Sequence, residues 1–166
     1  MYRTVQDFLD DWKYESEATL KIMNSLTDAS LGQKVTPEGR SLGFLAWHIV
    51  LTLGEMGSKA GLTVRCPAEE TPQPTKANEI AGTYEPAARS VAEEVRTKWT
   101  DGSLLDEVDM YGETWKRGYA LRSLLAHQTH HRAQMTVLMR QAGLKVPGVY
   151  GPSREEWAQF GMPAPQ

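Results

Sequence analysis

Apolar residues recur at three- and four-residue steps through four stretches of this chain, the spacing of amphipathic helices. The first stretch runs from about Val5 to Leu26. Val5, Phe8, Leu9, Trp12, Ser16, Thr19, Leu20 and Met23 form its stripe, and Thr4 with Asp7 resembles a capping pair. The second runs from about Leu42 to Ala60, with Leu42, Leu45, Ile49, Thr52 and Met56 in line, Ser41 as N-cap and Gly61 as the stop. The third runs from about Lys76 to Trp99 after Thr75 as a candidate N-cap. Its stripe is Ile80, Tyr84, Ala87, Val91 and Val95, and Pro86 predicts a kink or a broken first half. The fourth runs from about Leu121 to Ala142 and stops at Gly143, with Leu124, Gln128, His131, Met135, Leu138 and Ala142 on one face.

The segments between these stretches carry topology. Residues 62–75 hold Pro67, Pro72 and Pro74 and have no periodic pattern, which favours extended chain. At about 3.3 Å per residue this stretch could span more than 40 Å, longer than the ~30 Å of a 20-residue helix. The second and third helices could therefore run parallel, joined by a crossover. Residues 108–116 have the pattern of a small hairpin turning at Gly112. Beyond Gly143 comes a Gly/Pro-rich tail, 144–166, in which Ser153-Arg154-Glu155-Glu156 is a capping-box pattern that predicts one short helix. There is no internal repeat, and residues 1–166 are expected to form a single all-α domain.

Charge and composition narrow the function classes. A net charge of −3 with scattered Lys and Arg offers no electrostatic footprint for nucleic acid. No apolar run approaches the roughly 20 residues that span a bilayer, and the first residues lack a signal-peptide pattern. The expectation is a soluble cytoplasmic protein with neither nucleic acid nor membrane as partner. Cys66 is the sole cysteine, which excludes an internal disulfide and a cysteine-based metal cluster. It is expected to be a plain surface thiol. The acidic residues Asp10, Asp11, Glu15 and Glu17 are expected on a solvated face, although Glu15, one turn beyond Asp11 and Trp12, could point inward.

The histidines change the picture most. The chain has four: His48 in the second helix, and His127, His130 and His131 within five residues of the fourth. At about 100° per residue, His127 and His131 are one turn apart on the same face. His131 falls near the centre of the apolar stripe, His127 roughly 50° from it, and His130 about twice as far. His48 lies roughly 60° off the centre of its own stripe, facing a neighbouring helix. Two ligands from one helix and a third from another would make a three-histidine site with an open position, the pattern of catalytic rather than structural metal centres. The zinc-protease motif is absent, because no Glu follows His127. Two other readings stand beside this one. A lone inward His48 is the pattern of a hydrogen-bonded core histidine, and the grouping can serve a proton relay or simple packing. The paired imidazoles weigh against packing alone, since burying both without a shared partner is costly.

These residues resemble a known family. Ser41-Leu42-Gly43, Leu45 and His48 at the start of the second helix, with Leu125-Ala126-His127-Gln128-Thr129-His130-His131-Arg132-Ala133-Gln134 in the fourth, are similar to the DinB-like superfamily of helical proteins. The match is to a His-x-x-His-His-Arg-x-Gln signature, with Ala133 where Gly is often found, a change expected to touch only close packing. The resemblance implies an up-down-down-up four-helix bundle with a long crossover between helices two and three, often a homodimer. It implies a divalent metal, zinc or nickel, at the positions matching His48, His127 and His131. Characterised relatives include low-molecular-weight-thiol-dependent transferases and a mycothiol-dependent isomerase. The expectation is a metal-dependent enzyme taking a small-molecule substrate, with a thiol-dependent S-transferase as the first reading. A metal-dependent hydrolase and a non-catalytic metal-binding or stress-response module are the alternatives. No residue is marked as catalytic, and no organic cofactor is implied.

Overall fold

In the computed structural model, which describes residues 1–165, four helices carry the architecture: α1 (Val5–Met23), α2 (Leu42–Lys59), α3 (Ala77–Lys98) and α4 (Arg117–Gln141). A two-stranded antiparallel hairpin, β1 (Glu107–Met110) and β2 (Glu113–Lys116), joins α3 to α4. Short 3-10 turns lie at Asp28–Ser30, Gly102–Leu105 and Trp157–Phe160. Each helix packs on two neighbours, in the ring α1–α3–α2–α4. The expected stripes line the core: Phe8 and Trp12 of α1, Ile80, Tyr84 and Val91 of α3, Leu124 and Met135 of α4 are all buried.

Helix directions follow from what meets at each end. The start of α2 bonds back to the turn after α1, Leu42 N to Gln33 O and Gly43 N to Leu31 O. The start of α3 arrives at that same end, where Ala77 N donates to Asp28 Oδ1 at 2.8 Å. At the opposite end Tyr2 N donates to Gly118 O, so α1 and α4 start together. The bundle is therefore up-down-down-up, and α2 and α3 run parallel.

The crossover between them is docked rather than loose. Arg65 N donates to Ser90 Oγ, Cys66 Sγ to Val50 O, and the Trp47 indole N–H to Thr71 O. Glycines of α2 make room for it. A Cβ at Gly54 would sit 2.8 Å from Cys66 Cβ, and one at Gly57 would sit 2.5 Å from Val64 Cγ2.

Several expectations are corrected in detail. α1 ends at Met23, before Leu26, and α4 starts at Arg117, a turn before Leu121. The N-cap of α3 is Lys76 rather than Thr75, and the capping carboxylate comes from Asp28, distant in sequence. α3 runs unbroken through Pro86. Gly82 and Pro86 are both exposed, so the carbonyl that Pro86 cannot serve is open to water. Cys66 is half-buried, bonded to Val50 O, and its thiol pKa is raised by burial, so it is not a plain surface thiol. The hairpin turns at Tyr111-Gly112, both with positive φ (62° and 82°), as tight two-residue hairpin turns require. In the tail, Glu156 accepts from Ser153 N as a capping-box residue does, but the helical turn that follows is the 3-10 turn at Trp157–Phe160. No helix among the described residues is long and apolar enough to cross a membrane.

Candidate metal centre

α2 and α4 pack face to face, and their contact brings three of the four histidines together. The helical angles set the order of burial. His131, central in its stripe, is buried; His127 and His48 are half-buried; His130 is exposed. His130 touches the group only by its ring, 4.9 Å from that of His131.

The three inward rings meet through their Nε2 atoms. His127 Nε2 lies 3.1 Å from His48 Nε2 and 3.1 Å from His131 Nε2. Bonds of about 2.0–2.1 Å to a tetrahedral ion place ligand nitrogens roughly 3.3–3.4 Å apart, so this spacing is close to that of a metal-binding trio. The three can hold an ion with no carboxylate or thiolate among them. On His131, Nδ1–H donates to Gln134 Oε1 at 2.7 Å, which fixes the tautomer and leaves Nε2 with a free lone pair. Gln134 sits three residues on, the reach of an adjacent turn, and this role was not visible in its sequence position alone.

Electrostatics favour the neutral, ligating form of each ring. His127 is pushed down to about 4, by burial first and then by the neighbouring imidazoles. His48 is lowered by burial, with His131 and Arg40 adding to it. His131 is lowered by burial against the pull of its Gln134 hydrogen bond. One Nε2–H can serve one of these two contacts at a time, so at least one Nε2 lone pair is left without a partner inside the trio.

Two residues that the sequence patterns did not mark extend the site outward. The Phe44 ring stacks on His48 at 5.8 Å and an interplanar angle of 12°. The Arg40 guanidinium lies over Phe44, 5.1 Å from its centroid. Both side chains are exposed.

The adjacent face of α4 holds a second polar cluster, and it corrects the reading of α1. Glu15 is not on the solvated face: it is buried and ion-paired with Arg132 at 2.6 Å. Arg132 also donates to Glu15 O, Thr19 Oγ1 and Tyr150 OH, while the Tyr150 hydroxyl donates to Glu15 Oε1 at 2.6 Å. A signal for this existed. Phe8, Trp12, Glu15, Thr19 and Ile22 alternate four- and three-residue steps, and all are buried. Gln128, between the two clusters on α4, is also buried and accepts the Tyr84 hydroxyl at 2.6 Å.

Comparison with known proteins gives a consistent picture. The model of the DinB family matches residues 1–165. A Bacillus subtilis (strain 168) protein described as the uncharacterized protein YrdA is 47% identical over 166 residues, covering 100% of this chain and 99% of its own length. The crystal structure of a DinB-like protein from Bacillus cereus ATCC 10987 superposes with a TM-score of 0.87 at 43% identity, covering 90% of this chain and all of that one. A second DinB-like protein, YjoA of Bacillus subtilis, shares the fold with a TM-score of 0.66 at 16% identity, over 86% of this chain and 97% of its own.

Proposed function

The chain belongs to the DinB family, and on that premise we propose that it is a divalent-metal-dependent enzyme whose ion is held by His48, His127 and His131. The observation that carries this reading is the convergence of three Nε2 atoms from two helices, with His127 at 3.1 Å from both others. Their chemistry fits the group. All three imidazoles are biased to the neutral form, and Gln134 orients one of them. Nitrogen donors without carboxylates suit zinc or nickel better than calcium or magnesium.

Such an ion would supply Lewis acidity that lowers the pKa of a bound thiol or water. Of these, activation of a small thiol for transfer to an electrophile is the first reading, resting on the family resemblance; water activation for hydrolysis is the second. The chain's own residues supply orientation and electrostatics. The hydrogen bond from His131 Nδ1 to Gln134 holds the ring, and Phe44 packs against the outer side of His48.

Elemental analysis of tag-free protein tests the centre. About one divalent ion per chain is expected, lost in His48→Ala and in His131→Ala but kept in His130→Ala. Equal metal content in all three variants would sink the assignment. Incubating the loaded protein with a panel of cellular thiols and a chlorinated nitrobenzene then separates the chemistries. Metal-dependent conjugation supports transfer, and its absence across the panel favours hydrolysis or a binding module.

A further inference from the structure

A cavity of about 340 Å³ lies between the approach to α2 and the last turns of α4; no histidine lines it, but two of its residues contact the histidine group or its neighbours. Val35, Leu45, Val137 and Leu138 give it apolar walls, and Arg40 and Gln134 are its polar side chains. Both polar residues lead back to the histidines. Gln134 accepts from His131 Nδ1, and Arg40 reaches His48 through the Phe44 ring. No acidic side chain lines this cavity, and the Arg40 guanidinium meets no carboxylate among the described residues. The larger groove between α1 and α3, about 400 Å³, carries both signs of charge, with Asp10, Glu17 and Glu85 beside Lys13, Arg89 and Arg96.

An uncommitted guanidinium at the rim of an apolar cavity is a recognition element for a planar anion, because its fork of N–H donors matches a carboxylate. We propose that the cavity takes a small molecule with an apolar body and a terminal carboxylate, with Arg40 as the residue that selects for the carboxylate. This names the substrate class of the histidine site, and to that extent it rests on the metal-centre reading. Phe44 fixes the direction of approach. Its ring lies between the guanidinium, 5.1 Å from its centroid, and the His48 ring, 5.8 Å away, so a ligand anchored at Arg40 reaches the three nitrogens only past Phe44.

Two terminal thiols of the same chain length serve as probes: mercaptohexanoate, which carries a carboxylate, and mercaptohexanol, which does not. Each is titrated into metal-free and zinc-loaded protein while the NMR signals of the Arg40 Nε–H and the Gln134 side-chain amide are followed. For an exposed Arg–carboxylate pair the carboxylate probe is expected to bind about fivefold more tightly. Arg40→Gln should bring the two probes within about twofold, Arg40→Lys should keep part of the preference, and Arg40→Glu should reverse it. Equal binding by the parent, no binding of either probe in both forms, or a preference that survives Arg40→Gln would overturn the proposal. Metal content of the same samples keeps the two readings apart. A carboxylate preference in protein that takes up no zinc upholds Arg40 while sinking the metal centre. Stoichiometric zinc with no preference does the reverse.

Discussion

The two faces of α4 hold polar clusters of opposite kinds. Toward α1, Glu15 and Arg132 form a buried pair in which carboxylate and guanidinium find partners in each other, in Thr19, in Tyr150 and in the Glu15 carbonyl. Toward α2, three imidazoles turn their Nε2 atoms on one another and find no other partner there. Burial of polar groups is tolerable only when their hydrogen bonds are met. The first cluster meets them from within, so it needs nothing from outside and reads as structure. The second leaves lone pairs converging on one point, which an added cation would satisfy. His131 and Arg132 are adjacent in sequence, and one step of about 100° around the helix separates the two environments.

The contrast is broken most strongly at the satisfied cluster. Glu15→Ala or Arg132→Ala leaves a buried charge without its partner and is expected to cost ~3–5 kcal/mol in denaturant unfolding. The double variant should cost clearly less than the two single losses combined. Simple additivity would mean that the two side chains do not act as a pair. At the unsatisfied cluster the expected loss is in binding. Gln134→Ala removes the group that orients His131 and should weaken zinc affinity by about 10–100-fold, read by competition with a chromophoric chelator. Unchanged affinity would show that the His131–Gln134 hydrogen bond has no bearing on the ion.

A smaller effect sharpens the difference in the metal-free protein. Burial, and then the neighbouring imidazoles, push His127 in the fold from its ordinary 6.5 down to about 4. Between those pH values the unfolded chain takes up a proton that the folded protein refuses. The contribution of His127 is therefore full above about pH 6.5 and lost as pH falls toward 4. Urea midpoints measured across this window should decline, and His127→Gln should flatten the decline. A slope that the variant leaves unchanged would assign it to other groups.

Much of this was legible in the sequence because helices report their own geometry. The 3.6-residue period located all four helices, and the angular positions of His127, His130 and His131 ranked their burial correctly, from exposed His130 to buried His131. The length and Pro content of the crossover allowed parallel α2 and α3, and the docked chain from Thr63 to Thr71 realises it. What escaped were roles supplied by distant partners. Glu15 reads as a surface acid until Arg132 is placed beside it, and Tyr150 lies in a Gly/Pro-rich stretch with no apolar period. Asp28 caps a helix that begins 49 residues later, which no local cap signal could indicate. Arg40 and Phe44 gain meaning only from the rings stacked inward of them.

By itself the sequence determined the helices, the side of each that turns inward, and the one-turn pairing of His127 with His131. These depend on backbone dihedrals and the burial of apolar stripes, which act over a few residues at a time. Tertiary structure alone decided that His48 completes the trio at 3.1 Å. It also decided that Gln134 holds His131, that Glu15 is neutralised inside the bundle, and that an unpaired Arg40 stands at the mouth of an apolar cavity. The reason is physical: hydrogen bonds and charge pairs are satisfied in three dimensions, so whether a polar group is complete or waiting for a partner depends on what packing brings within about 3 Å of it.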